Sequence, residues 1–210
     1  MNYLNLTVAI LVGYIVGSIP WALIVGKVFY GVDVRKHGSG NLGGTNVLRT
    51  LGKVPGISVM VLDALKALLF MAVLHLLKMD DIVPFAGLAV LIGHCFPVFA
   101  NFKGGKAVAS AVGYVLAVNL FVEKQLMLCW LLPMLIFVTV LFTTRYMSLA
   151  SITVVSLFAI TALIFYQSKI NALLIVLLAL FVIYKHKDNI KRLKEGTEKR
   201  LGSKKTGGVI

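Results

Sequence analysis

The sequence of 210 residues predicts an all-α fold, a polytopic membrane protein of about seven transmembrane helices with its N-terminus outside and its C-terminus cytoplasmic. Composition is the first reason. Hydrophobic residues make up 59% of the chain and the mean hydropathy is +0.93, whereas a soluble domain is nearer about half apolar. Length is the second: several apolar runs approach the ~20 residues a helix needs to cross a bilayer. The third is an uneven distribution of Lys and Arg, which sets orientation. No stretch leaves room for a separate soluble domain. Residues 1–210 are therefore expected to form a single integral membrane domain, whose basic cytoplasmic tail, about 193–210, is partly disordered.

The first span is expected at about 3–26, where Gly13, Gly17 and Pro20 are residues that membrane helices tolerate. A polar loop follows over about 31–53, then a second span at about 54–77 carrying Asp63 and Lys66. The third span is expected at about 82–100 and a weaker fourth at about 107–121, after a glycine-rich stretch. Glu123 and Lys124 mark a turn before a fifth span at about 125–142. The sixth is expected at about 148–165 and the seventh at about 171–184. The fourth and seventh are short, as packing or local bilayer thinning allows.

Orientation follows from the positive-inside bias. With the N-terminus outside, the inner side holds Lys27, Arg35, Lys36, Arg49, Lys53, Lys103, Lys106 and Arg145. It also holds the tail residues Lys185, Lys187, Lys191, Arg192, Lys194, Lys199, Arg200, Lys204 and Lys205. Only Lys78, Lys124 and Lys169 fall outside, and Lys66 lies within a span. Both glycine-rich stretches, the Arg145 turn and the start of the tail are thus expected at one membrane surface, on the cytoplasmic face. The formal net charge of +13 is explained by this bias, so no nucleic-acid partner is expected. Cys95 and Cys129 lie in spans without metal-ligand spacing and read as packing residues. The N-terminus lacks the basic n-region and small-residue cleavage site of a signal peptide.

Two polar stretches carry the chemistry. Gly38-Ser39-Gly40-Asn41-Leu42-Gly43-Gly44-Thr45-Asn46-Val47-Leu48-Arg49 contains a Gly-x-Gly-x-x-Gly spacing. No βαβ unit surrounds it, so a dinucleotide fingerprint is excluded. What remains is a tight backbone with Ser39, Asn41, Thr45 and Asn46 able to bond oxygens, and Arg49 one turn further on if a helix starts there. Asn101-Phe102-Lys103-Gly104-Gly105-Lys106 is not a P-loop, since Ala107 follows the Lys. At the head of a span, Gly104, Gly105 and Lys106 could still hold an anion. Asp63 and Lys66, spaced i, i+3, are expected to pair, because an unpaired charge in lipid is costly. His94 ends the third span and is either functional or a hydrogen-bonded structural residue. His186 and Asn189, also i, i+3, could present an imidazole and an amide together, although a basic collar for anionic headgroups is the plainer reading. No carboxylate cluster reaches the inner loops, so no metal or other cofactor is expected.

Taken in order, Gly38 to Arg49, His94-Cys95-Phe96-Pro97-Val98-Phe99 through Lys106, Arg145-Tyr146-Met147-Ser148-Leu149-Ala150-Ser151, and His186 to Leu193 resemble the bacterial acyl-phosphate:glycerol-3-phosphate acyltransferases, the PlsY family. Asp63 and Lys66 also fit the family pattern. Gly44 stands where the family usually has Ala, and Ala107 where Gly is common. The resemblance implies seven membrane helices and a site facing the cytoplasm of the bacterial inner membrane. It implies transfer of a fatty acyl group from acyl phosphate to the 1-hydroxyl of sn-glycerol 3-phosphate, giving lysophosphatidic acid and phosphate in phospholipid biosynthesis. It assigns Ser39, Arg49, Lys106, His186 and Asn189 as the catalytic set. Backbone N–H groups of Gly40, Asn41, Gly43, Gly44, Gly104 and Gly105 are then expected to cradle phosphate, and Thr45, Asn46, Ser148 and Ser151 to orient it. Its partners would be acyl phosphate, glycerol 3-phosphate and membrane lipids. A small transporter or lipid-binding protein recognising phosphate-bearing ligands is the alternative, but only Asp63, Lys66 and His94 would line its path. His75 and Asp80 have the His-x4-Asp spacing of another class of glycerolipid acyltransferase; expected at the outer surface, they read as coincidence.

Overall fold

The computed structural model describes residues 2–202. All regular structure among them is helical. Five helices are long and apolar enough to cross a membrane, and six if a pair bent by 59° counts as one span. The chain forms two compact units, within Met1–Tyr114 and within Val115–Lys204.

In the first unit, α1 (Tyr3–Gly17) opens on Asn2, whose side chain accepts from Leu4 N at 3.0 Å and so covers an orphan donor. The helical path breaks at Ser18–Pro20 and resumes as α2 (Trp21–Tyr30). The first span was expected at about 3–26, and the two helices together form one candidate crossing, Tyr3–Tyr30. Pro20 lacks an N–H, so carbonyls on either side of the break need donors from elsewhere. A 3-10 turn, Val34–Lys36, leads to α3 (Gly44–Leu51), and α4 follows (Lys53–Leu76). Next come α5 (Val83–Cys95), a 3-10 turn at Val98–Ala100, and the start of α6 (Val108–Ala117). α1 packs along α5. Small residues allow this closeness: a Cβ added at Gly17 would overlap the Val90 backbone, and one at Gly93 the Tyr14 carbonyl. Away from these contacts α4 leaves Val54, Ile57, Val61, Leu69 and Val73 exposed. Such an apolar outer face suits lipid, not water.

In the second unit α6 runs into a π-helical turn, Val118–Val122, and a second π-helical turn, Met127–Leu131, feeds α7 (Leu132–Thr144). α8 (Met147–Phe165), α9 (Lys169–Lys185) and α10 (Lys187–Lys194) complete it. α8 packs between α7 and α9. Several buried polar groups find partners within the unit, as an apolar surround favours. Glu123 accepts from Asn171 Nδ2 at 2.6 Å and from Gln167 N at 3.1 Å. Asn119 Nδ2 donates to the Tyr166 hydroxyl at 2.8 Å. Cys129 and Cys95 are buried thiols.

The tail was expected to be partly disordered over about 193–210. As far as Gly202 it is held to the second unit: Glu198 is 6% exposed, and Leu201 N donates to the Arg145 carbonyl at 2.7 Å. A carboxylate with buried polar partners holds it down, which composition alone does not reveal. Lys204, Lys205 and the rest of the tail expected to be disordered lie outside the described residues.

Candidate active site

The first glycine-rich loop is built around one amide. Asn46 is 2% exposed. Its Oδ1 accepts from Ser39 N at 2.8 Å and from Ser39 Oγ at 3.2 Å. Its Nδ2 donates to the carbonyls of Val34 at 2.9 Å and His37 at 3.2 Å. Asn46 was expected to orient phosphate; its polar atoms hold the loop onto α3 and fix Ser39. Gly40 sits at φ +68°, the left-handed region glycine enters without cost, and its N–H closes a turn onto the His37 carbonyl at 3.0 Å. Thr45 lies in the first turn of α3, with Arg49 one turn on. Upstream, Asp33 pairs with Arg35 at 2.7 Å and Lys27 at 3.6 Å. The Arg35 guanidinium holds the Asp33 carboxyl well below the ordinary carboxylate range.

The second glycine-rich loop folds back on the end of α5. Gly104 N donates to the Cys95 carbonyl at 3.2 Å and Gly105 N to the His94 carbonyl at 3.1 Å. A Cβ on Gly105 would overlap His94 Nε2 and stand 2.8 Å from the Leu42 carbonyl. The two glycine-rich loops therefore touch. They also share a core: Val34, Leu42 and Val47 pack in one buried cluster with Ala100. Asn101, Phe102 and Ala107 all have positive φ, an uncommon run for residues with side chains. Lys106 precedes the start of α6 at Val108.

These bonds bear on one expectation. The N–H groups of Gly40, Gly43, Gly104 and Gly105 are spent on the carbonyls of His37, Asn41, Cys95 and His94. In these bonds they shape the loops. The glycines serve turn geometry and close packing. Gly44 N and Thr45 N, in the first turn of α3, have no carbonyl behind them within the helix.

In the second unit, Ser148 and Asn189 meet on a residue the sequence reading missed. Glu198 Oε1 accepts from Ser148 Oγ at 2.9 Å and from Asn189 Nδ2 at 2.8 Å, and Oε2 accepts from Arg192 Nε at 2.7 Å. Burial pushes the Glu198 carboxyl up, but the bonds from Arg192, Asn189 and Ser148 outweigh it and leave the group below its ordinary value. Ser151 Oγ bonds back to the Met147 carbonyl at 2.7 Å and lines the same first turn of α8. His186, at the bend between α9 and α10, places Nδ1 2.8 Å from the Val182 carbonyl. A carbonyl only accepts, so Nδ1 carries the hydrogen and the neutral ring keeps its lone pair on Nε2. His75 and Asp80 do pair, at 2.6 Å, across the exposed turn after α4.

Apolar spans with polar, glycine-shaped loops at their ends define an integral membrane protein. Comparison with known proteins narrows the class. The family model for glycerol-3-phosphate acyltransferase matches residues 7–196. Glycerol-3-phosphate acyltransferase of Bacillus cereus (strain G9842) is 45% identical over 195 residues, covering 93% of this chain and 94% of the relative. That of Macrococcus caseolyticus is 42% identical over 203 residues, covering 96% and 100%. Two crystal structures of PlsY, an integral membrane glycerol 3-phosphate acyltransferase, match with TM-scores of 0.85 (its glycerol 3-phosphate form) and 0.82 (its lysophosphatidic acid form). Each is 35% identical and covers 94% of this chain and 96% of that one. The chain belongs to the glycerol-3-phosphate acyltransferase family.

Proposed function

We propose that this protein transfers a fatty acyl group from acyl phosphate to the 1-hydroxyl of sn-glycerol 3-phosphate, releasing lysophosphatidic acid and inorganic phosphate. The observation that carries the reading is the contact of the two glycine-rich loops, which brings the Ser39–Arg49 segment to the one holding Lys106. The solved relatives support it, since one is described with glycerol 3-phosphate and the other with lysophosphatidic acid.

Each group has a task the chemistry requires. Acyl phosphate is a mixed anhydride with a good leaving group, so no covalent enzyme intermediate is needed. The hydroxyl oxygen attacks the carbonyl carbon, a new C–O bond forms, and the bond to phosphate breaks with its electron pair leaving on phosphate. The hydroxyl proton ends on that phosphate, a substrate-assisted route. Arg49 and Lys106 neutralise phosphate oxygens. The N–H groups of Gly44 and Thr45 and the hydroxyls of Ser39 and Thr45 add donors. In the second unit, His186 offers Nε2 as an acceptor, while Glu198 fixes the Asn189 amide. An apolar groove of about 410 Å³, lined by Ile19, Pro20, Leu23, Ile24, Val28 and Phe99 with Lys27 at its edge, would suit the acyl chain. Alignment and charge stabilisation then supply the acceleration.

The same reading sets seven crossings of the bacterial inner membrane. Val108–Val122 and Lys169–Lys185 would be the short spans beside the five long ones, with the N-terminus out and the loops facing the cytoplasm. The experiment is direct. Purified protein given palmitoyl phosphate and glycerol 3-phosphate is expected to form lysophosphatidic acid and phosphate. Arg49→Ala and Lys106→Ala should each lower kcat/KM by roughly 10- to 100-fold or more. Near-normal turnover at low glycerol 3-phosphate in either variant refutes its assignment. Product from palmitoyl-CoA but not palmitoyl phosphate refutes the donor.

A further inference from the structure

Asp63, Lys66 and His94 form a buried polar cluster in the first unit that none of the roles above uses. They are 2%, 6% and 7% exposed. Lys66 Nζ lies 2.9 Å from Asp63 Oδ1 and 2.9 Å from His94 Nδ1. It also donates to the carbonyls of Gly17 at 3.0 Å and Ile19 at 3.3 Å, the two that flank the break between α1 and α2. His94 Nδ1 is 3.2 Å from Asp63 Oδ1. We propose that this cluster positions the phosphate-binding loop: it locks the His94 imidazole behind Gly105 and so sets where Lys106 meets glycerol 3-phosphate. The proposal rests on the acyltransferase reading above.

The arrangement exceeds what a structural staple needs. An ammonium has three hydrogens, and Asp63, Gly17 and Ile19 already supply three acceptors. His94 is a fourth partner, so the cluster holds the imidazole as well as closing the break. Nδ1 lies 2.9 Å from the Lys66 ammonium and 3.2 Å from the Asp63 carboxylate, so the ion pair grips one edge of the ring and leaves the Nε2 edge facing away. That edge is the one against Gly105, where an added Cβ would overlap it. On its other side Gly105 has the Leu42 carbonyl of the first loop. His94 also binds the loop through its backbone, its carbonyl accepting from Gly105 N at 3.1 Å. The Tyr14 hydroxyl donates to the Phe96 carbonyl at 2.9 Å and pins the same end of α5. Ring, carbonyl and buried ion pair thus fix the residue immediately before Lys106 from three directions. His94 is a positioning residue, not a catalytic one.

The test is a cycle of His94→Ala, Gly105→Ala and the double variant, with His94→Asn as the conservative replacement. Asn keeps an amide that can bond to Lys66 or to Asp63. His94→Ala is expected to lower kcat/KM for glycerol 3-phosphate by about 10- to 100-fold, through KM, with KM for acyl phosphate nearly unchanged. His94→Asn should recover part of the loss. Gly105→Ala should cost at least about threefold less in the His94→Ala background, where the overlap with the ring is gone and the Leu42 carbonyl is the close contact that remains. Thermal stabilisation by glycerol 3-phosphate gives a readout without turnover, and should weaken in step. Additive losses, or equal rises in both KM values, overturn the proposal while leaving the acyltransferase reading intact. If His94→Ala does not fold, His94→Asn against Gly105→Ala answers the same question. A wild-type protein with neither turnover nor stabilisation by glycerol 3-phosphate sinks both readings.

Discussion

Ala107 is fully buried at φ +58°, in the segment that carries Lys106. A left-handed residue with a Cβ costs about 1–2 kcal/mol, and glycine escapes that penalty. Ala107→Gly removes only a methyl group, so the gain in backbone freedom and the lost packing compete. Strain relief is the larger effect, and the variant is expected to raise Tm by a few degrees; an unchanged or lower Tm in detergent contradicts this. Strain held beside a ligand-binding residue keeps that residue from wandering. The variant should therefore trade some affinity for glycerol 3-phosphate against its added stability. Asn46 teaches a related lesson. Its place in the motif suggested contact with ligand, whereas its two amide ends are consumed in shaping the loop around Ser39.

Elements reveal which signals the sequence carries well. Apolar runs located the long helices, whereas α3 lies inside what reads as a polar loop, 31–53, where a helix was only a conditional reading. Pairing of Asp63 with Lys66 was readable because both lie on one helix face. Their third partner was not: His94 is 28 positions from Lys66, and no local pattern links them. The break after α1 was signalled by Pro20 but hidden by continuous hydrophobicity on both sides. Glu198 was missed for a different reason. A basic, glycine-containing tail has the composition of a disordered segment, which hides a single carboxylate with buried partners. That carboxylate also fixes a pH dependence. Its folded value lies below the ordinary one, so its contribution is present above the unfolded value of about 4.3 and is lost as pH falls through the folded value. Glu198→Gln should lower Tm at pH 7, and the gap to wild type should close below about pH 4. A gap that persists at acid pH would mean that the charge is not what holds the tail.

For the whole molecule, the distribution of 21 basic against 8 acidic residues is the main topological instruction. Both free cysteines are buried, so single engineered thiols can report exposure once Cys95 and Cys129 are replaced. Lys36→Cys and Lys103→Cys are expected to react with an impermeant maleimide only from the cytoplasmic side. Lys78→Cys and Lys124→Cys should react from the other. Reaction of Lys36→Cys and Lys103→Cys on opposite sides would dismantle the proposed topology, because the loops bearing them are in contact.

The interruption at Ser18–Pro20 also bears on biogenesis. The first crossing, Tyr3–Tyr30, is an apolar span of 28 residues with this break inside it. The donor that satisfies the loosened carbonyls of Gly17 and Ile19 is made 49 and 47 residues later. Until Lys66 leaves the ribosome, the opening span of this chain holds the Gly17 carbonyl in oil without the ammonium that meets it, so its insertion stays provisional. Nascent chains stalled before and after Lys66 clears the exit tunnel should differ accordingly, the shorter ones extractable by alkali and the longer ones retained; equal retention would show that the first segment settles unaided.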